Sequence, residues 1–108
     1  MNRASNGDGW VETVPLADLP EGTGKAIEAG HFPLLLIHRE GKVYATGSFC
    51  PHEETELDPK NVFGHELVCK EHGYRLDLRN GRCSNDPSLR LATYPTKIRA
   101  GIIWVKLT

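Results

Sequence analysis

The fold class is indicated most clearly by residues 66–83, which read ELVCKEHGYRLDLRNGRC. Residues 74–78 alternate apolar and polar side chains, which is the two-residue period of a half-buried β-strand. Asn80-Gly81 follows, and this dipeptide is a strong signal for a tight turn between antiparallel strands. The apolar residues before Cys69 predict a further short strand at 66–68. This stretch therefore predicts β-strands joined by tight turns.

Short strands separated by turn signals continue in both directions from this stretch. The run 34–37 (LLLI) is wholly apolar, as expected for a strand that is covered on both faces. Glu40-Gly41 then predicts a turn into a hairpin partner. Further strands are predicted at 10–14, 25–28, 43–46, 97–99 and 102–105. With 11 glycines, 7 prolines and no sustained helical period, the sequence predicts an all-β sandwich or barrel.

The composition narrows the class of protein. The 108 residues are enough for one domain, which we place at residues 9–108 after a flexible N-terminus at residues 1–8. A net charge of −1 does not suggest nucleic-acid binding. No apolar run is long enough to span a bilayer, and the polar N-terminus does not resemble a secretory signal. We therefore expect a cytoplasmic protein that binds neither membranes nor nucleic acid.

Two cysteine–histidine pairs carry the chemistry that the sequence predicts. Cys50 and His52 form a Cys-x-His pair, and Cys69 and His72 form a Cys-x-x-His pair in a second predicted loop. Thiolate and neutral imidazole are side chains that hold iron or zinc well. Three cysteines are an odd number, which favours metal binding or free thiols over a disulfide framework. Zinc stays open at this point, although structural zinc sites usually open with two to four residues between ligands.

The paired motif resembles the ligand motif of Rieske iron–sulfur proteins. Residues 72–81 (HGYRLDLRNG) are similar to the segment that follows the second ligand loop in the Rieske ferredoxins of oxygenase systems. Residues 19–22 (LPEG), 94–97 (YPTK) and the last strand resemble the start and end of those ferredoxins. The resemblance implies an antiparallel β-sandwich with a small cluster-binding subdomain. It also implies one [2Fe–2S] cluster to which each Cys–His pair contributes both of its residues. Cys50 and Cys69 would bind one iron, and His52 and His72 would bind the other.

The sequence departs from the high-potential Rieske proteins of the cytochrome bc type. Those proteins have one further cysteine in each ligand loop, and the two form a disulfide, whereas Thr55 and Glu71 stand at these positions here. A serine and a tyrosine that donate hydrogen bonds to cluster sulfurs in that group correspond to Tyr74 and Leu76. Hydrogen bonds to sulfur stabilise the reduced cluster, so their loss predicts a low reduction potential.

The remaining candidate residues are assigned structural positions. Cys83 is predicted to be a small, half-buried apolar side chain, and His31, His38 and His65 have no ligand partner at metal spacing. Tyr74 is expected to pack beside the cluster. The charges near the ligands are predicted to be solvated or to shape a docking face: Glu53, Glu54, Lys70 and Glu71.

The resemblance implies a soluble one-electron carrier, monomeric when free. It would pass electrons from a flavin- or NAD(P)H-linked reductase to a terminal oxygenase or a similar acceptor, and it would not itself be an enzyme. A first alternative is the Rieske small subunit of a larger reductase, such as a nitrite-reductase-like complex. A second is a zinc-stabilised interaction module.

Overall fold

The computed structural model describes residues 9–52, 55–71 and 73–107. The predicted flexible segment at residues 1–8 lies outside this part of the chain. The described residues form ten strands and one 3₁₀ turn at Leu16–Asp18. The strands are β1 (Trp10–Pro15), β2 (Gly24–Ala29), β3 (Phe32–Arg39), β4 (Lys42–Gly47), β5 (Val62–Phe63), β6 (Glu66–Val68), β7 (Arg75–Asp77), β8 (Thr93–Tyr94), β9 (Thr96–Arg99) and β10 (Ile102–Lys106).

The all-β prediction is confirmed, and every predicted strand is present. The structure also contains β5 and β8, which the sequence does not predict, because two residues are too few to show a period. The strands form three antiparallel sheets, ordered β1-β10-β9, β2-β3-β4-β8 and β5-β6-β7. In the described part of the chain, no helix is long and apolar enough to cross a membrane.

Strand β3 is the wall shared by two hydrophobic cores. Leu34 and Leu36 point into a core that contains Ile103 and other residues of the terminal strands. Leu35 and Ile37 point to the opposite face, into a core that contains the cysteines. All four side chains of 34–37 are at most 2% exposed, so the predicted burial on both faces is confirmed. Period-two alternation along β3 thus separates two parts of the molecule. One part, the base, is built around the core that contains Ile103, and the other is a smaller unit built around the core that contains the cysteines.

The β5-β6-β7 sheet forms one side of this smaller unit. Leu67 of β6 lies opposite Leu76 of β7, and both are fully buried. Cys69 follows β6 after Val68, so the strand pairing fixes where the second cysteine–histidine loop leaves the sheet. The small unit predicted for cluster binding is therefore built around a short antiparallel sheet.

The turn at Asn80-Gly81 is present, but no regular strand follows it. Gly81 has a φ of 77° and its N–H donates to the Asp77 carbonyl at 2.7 Å. The returning chain pairs with β7 through one isolated bridge, Leu76 to Cys83. Beyond it the Arg75 N–H donates to the side chain of Asn85 at 3.1 Å instead of to a backbone carbonyl. A side chain thus replaces the next backbone hydrogen bond, and the ladder ends there.

Candidate metal centre

The first loop, residues 48–57, is closed by backbone hydrogen bonds around Cys50. The Cys50 N–H donates to the Thr55 carbonyl at 2.7 Å, and the Leu57 N–H donates to the Ser48 carbonyl at 2.8 Å. Cys50 is 1% exposed, whereas its neighbour Phe49 is 48% exposed. The loop therefore directs the Cys50 thiol inward and leaves an aromatic ring at the surface beside it.

The second loop, residues 69–75, is a tight turn that closes on Cys69. The Gly73 N–H donates to the Cys69 carbonyl, and the Cys69 N–H donates to the Tyr74 carbonyl, both at 2.9 Å. Gly73 has a φ of 69°, a conformation that glycine adopts without strain. The Cys69 side chain is fully buried. His72 lies outside the described residues, so its position in the site stays a prediction.

Three of the four predicted ligands come together in space. The ligand atoms of Cys50, His52 and Cys69 all lie within 4.8 Å of one another. The Cys50 Sγ is 3.0 Å from the His52 Nδ1. Two sulfur atoms and an imidazole nitrogen from loops far apart in sequence thus converge on one point, which is the arrangement that a metal centre needs.

Burial makes the Cys50 thiol reluctant to ionise on its own. Desolvation raises the pKa of Cys50 to about 11, and the neighbouring Cys69 thiol adds to this rise. The backbone N–H of His52 acts in the opposite direction and lowers the pKa. A thiolate in this position needs a cation beside it, and binding that cation releases the proton. The buried sulfur donors therefore fit an iron-containing group.

Cys83 shares the apolar core of Cys50 and Cys69 but, among the described residues, stands outside the metal-ligand group. It is 4% exposed, so it is more deeply buried than the half-buried side chain that the sequence predicts. Its Sγ donates a hydrogen bond to the Asn85 Oδ1 at 3.3 Å. The Cys83 thiol is thus hydrogen-bonded to a side-chain amide close to the second loop.

The other histidines occupy structural positions, as predicted. The His38 Nδ1 lies 2.8 Å from the Leu19 carbonyl oxygen, which ties the chain after β1 to β3. The His65 Nε2 lies 2.8 Å from the Glu40 Oε1 and links two turns. His31 is exposed in a turn with a φ of 75°.

Two of the four charged loop residues, Lys70 and Glu71, lie in the described part of the chain. Lys70 forms an ion pair with Asp58, with 3.3 Å between Nζ and Oδ2, and the Lys70 side chain stays 65% exposed. Glu71 is exposed as well. These residues agree with the predicted solvated charges, whereas Glu53 and Glu54 lie outside the described residues.

The sequence does not predict the contact between Asn85 and the second loop. The Asn85 Nδ2 donates to the Gly73 carbonyl at 3.3 Å. The signal that exists is residues 84–87 (SNDP), a group of turn-forming residues. Such a group predicts a turn but carries no information about which distant backbone it will contact.

Known proteins share both the sequence pattern and the fold. The family described as Rieske [2Fe-2S] domain matches residues 9–95. The ferredoxin component of the naphthalene 1,2-dioxygenase system of Pseudomonas aeruginosa is 30% identical over 100 residues, which are 92% of this chain and 96% of that protein. The nitrite reductase (NAD(P)H) of Emericella nidulans is 32% identical over 91 residues, which are 75% of this chain and 8% of that protein.

A solved structure gives the same answer for the fold. The ferredoxin of carbazole 1,9a-dioxygenase from Nocardioides aromaticivorans superposes with a TM-score of 0.80 at 24% identity. The match covers 92% of this chain and 98% of that chain. The family match extends over most of the chain and includes both cysteine–histidine loops. The chain therefore belongs to the Rieske [2Fe–2S] domain family, and its cofactor is one [2Fe–2S] cluster.

Proposed function

We propose that this chain is a one-electron carrier whose cluster is bound by Cys50, His52, Cys69 and His72. The observation that carries the proposal is the convergence of three of these ligands within 4.8 Å, from two loops that backbone hydrogen bonds close. When bound, a cluster of this type accepts and releases single electrons. The chain's own contribution is to hold the Cys50 and Cys69 sulfurs in an apolar core, on two loops that backbone hydrogen bonds close.

The ligand assignment divides the two irons chemically. Cys50 and Cys69 would bring negative charge to one iron, and the neutral imidazoles of His52 and His72 would bind the other. The imidazole-bound iron is therefore the easier one to reduce. We assign the carrier function to a single domain, residues 9–108.

We place the carrier between a flavin- or NAD(P)H-linked reductase and a terminal oxygenase or a similar acceptor. Support comes from relatives of the same size, because the chain covers 96% of a protein named as the ferredoxin component of a dioxygenase system. Such components transfer electrons and leave substrate chemistry to their partner. We expect a monomer when free. The described cysteines are free thiols, which suits the reducing cytoplasm.

A second candidate is the small subunit of a larger reductase. It is favoured by the 32% identity to a segment of a nitrite reductase. Size-exclusion chromatography of the protein from its native host distinguishes the two functions. A free carrier elutes at about its own mass of 12.0 kDa, whereas a stable subunit co-elutes with a large partner.

Metal analysis of the purified protein tests the proposed cofactor and carrier function. We expect a red-brown protein with about two irons and two labile sulfides per chain. The reduced protein should then transfer its electron in a single kinetic phase to an oxidised Rieske oxygenase in stopped-flow measurements. One equivalent of zinc and no visible absorption would contradict the proposal and support the zinc-stabilised module instead.

A further inference from the structure

The side chain of Asn85 forms three hydrogen bonds beside the metal centre. Its Oδ1 accepts one from the Arg75 N–H at 3.1 Å and one from the Cys83 thiol at 3.3 Å. Its Nδ2 donates to the Gly73 carbonyl at 3.3 Å. Donor and acceptor of a single amide are thus both used, and they reach from the loop after Cys83 to the second loop.

The two backbone groups that Asn85 binds lie on either side of Tyr74. Tyr74 is the residue whose carbonyl accepts the Cys69 N–H, and its ring centroid lies 4.4 Å from that of His52. Fixing the backbone at Gly73 and Arg75 therefore fixes the Tyr74 ring relative to a ligand of the first loop.

Packing does not hold the turn at Gly73. A Cβ placed on Gly73 would meet nothing within 4 Å, and the residue is exposed. Gly73 is also the residue next to His72. A turn with glycine freedom and open space around it needs directional bonds to keep one conformation. Among the described residues, the Gly73 N–H donates to the Cys69 carbonyl, the Tyr74 carbonyl accepts from the Cys69 N–H, and the Gly73 carbonyl accepts from Asn85.

We propose that Asn85 is a positioning residue of the cluster site. Its amide clamps the backbone on both sides of Tyr74 and thereby holds the second loop in the conformation that presents its ligands. The inference rests on the proposed function, because the second loop supplies Cys69 and His72 there. Asn85 does not bind the cluster itself.

The test compares Asn85→Ala with the matched control Asn80→Ala. The Asn80 Oδ1 accepts the Arg82 N–H at 2.9 Å in the neighbouring turn, so this control also removes an asparagine bond to backbone. The first readout is hydrogen–deuterium exchange of residues 69–76 by mass spectrometry. The others are the rate at which visible absorbance is lost in a chelator and the EPR line shape of the reduced protein.

We expect Asn85→Ala to speed exchange of residues 69–76 by roughly thirtyfold, because it loses two hydrogen bonds to this segment and each is worth about 1 kcal/mol. Loss of the cluster should become roughly threefold to tenfold faster for the same reason, and the EPR lines should broaden as the Tyr74 ring loses its fixed place beside His52. Asn80→Ala should leave all three measurements within about twofold of the parent protein.

Asn85→Asp separates the clamp from a general loss of folding. The carboxylate keeps an acceptor for Arg75 and Cys83 but cannot donate to the Gly73 carbonyl, so exchange should lie between that of the parent and that of Asn85→Ala. Parent-like exchange in both Asn85 variants, or equal effects of Asn85→Ala and Asn80→Ala, would overturn the inference. Exchange is measured whether or not iron is bound, so a protein without iron contradicts the proposed function while the exchange result still decides the clamp.

Discussion

The ring of Tyr74 lies against the ring of His52, with 4.4 Å between the centroids and 50° between the planes. Tyr74 belongs to the second loop and His52 to the first, so this contact joins the two halves of the proposed ligand set. Tyr74 is also packed against the apolar core that contains Cys50 and Cys69. The expected packing of Tyr74 beside the cluster is thus matched by a direct contact with a predicted ligand.

Removing the Tyr74 ring should loosen the site, because the ring contacts His52. Tyr74→Ala loses an aromatic pair worth about 0.5–1.5 kcal/mol beyond its area, so the cluster should be lost roughly twofold to tenfold faster. Tyr74→Phe keeps the ring contact, so its comparison with Tyr74→Ala separates the contribution of the ring from that of the hydroxyl. The decay of visible absorbance in a chelator measures both rates. Equal acceleration in the two variants would assign the effect to the hydroxyl.

Gly81 and Gly101 provide a matched pair for testing the turn after β7. Both have a φ of 77°, but a Cβ on Gly81 would collide with the Leu91 carbonyl, whereas one on Gly101 meets nothing within 4 Å. Gly101→Ala should cost about 1 kcal/mol of unfolding free energy for its backbone conformation alone. Gly81→Ala should cost at least about 2 kcal/mol more, because backbone must move. Urea unfolding measures both, and equal losses would show that the turn relaxes freely.

The stability of the folded protein at acid pH should depend on Glu21. Its carboxylate accepts hydrogen bonds from the Gly41 and Glu40 N–H groups, which lower the pKa of Glu21 below its ordinary value of 4.5. A lowered folded-state pKa contributes stability that is present above pH 4.5 and is lost as the pH falls below it.

The urea midpoint, measured by tryptophan fluorescence, should therefore fall less steeply in Glu21→Gln than in the parent protein between about pH 5 and pH 3. Glu28→Gln, which replaces an exposed carboxylate on β2, is the control and should keep the parent's slope. A parent-like slope in Glu21→Gln would show that these hydrogen bonds do not couple to folding.

The sequence predicts the parts of this structure that rest on local pattern. The all-apolar run at 34–37 indicates a strand buried on both faces, and the motif spacing singles out Cys50, His52 and Cys69, which the structure brings together. The contacts of Asn85 and the ring contact of Tyr74 with His52 depend on how distant loops meet. Neither hydrophobic periodicity nor residue spacing predicts such contacts between loops, since they follow from three-dimensional packing. His72, the fourth predicted ligand, stays a prediction from the motif.

The reduction potential should be low for a Rieske protein. Leu76 is fully buried and has no hydroxyl, and Tyr74 stands where the high-potential group has its serine, so both hydroxyl donors of that group are replaced here. The loss of two donors lowers the potential by on the order of 100–200 mV. We expect a midpoint in the lower half of the roughly −150 to +300 mV Rieske range.

Protein-film voltammetry at neutral pH measures this midpoint. The midpoint of Tyr74→Phe measures whether the Tyr74 hydroxyl contributes to the potential. A midpoint above about +200 mV, together with a fall in Tyr74→Phe, would show that the phenol replaces the missing donors.

The central claim is that two histidines and two cysteines bind one [2Fe–2S] cluster, and pulsed EPR of the reduced protein tests it most directly. The account predicts strong coupling to two imidazole nitrogens, those of His52 and His72, in the parent protein. Cys83→Ser should give the same spectrum, since serine keeps a donor for Asn85, whereas Cys50→Ser and Cys69→Ser should lose the cluster. A spectrum with no coupled histidine nitrogen, or a Cys83→Ser protein that loses its cluster while Cys50→Ser keeps it, would contradict the account.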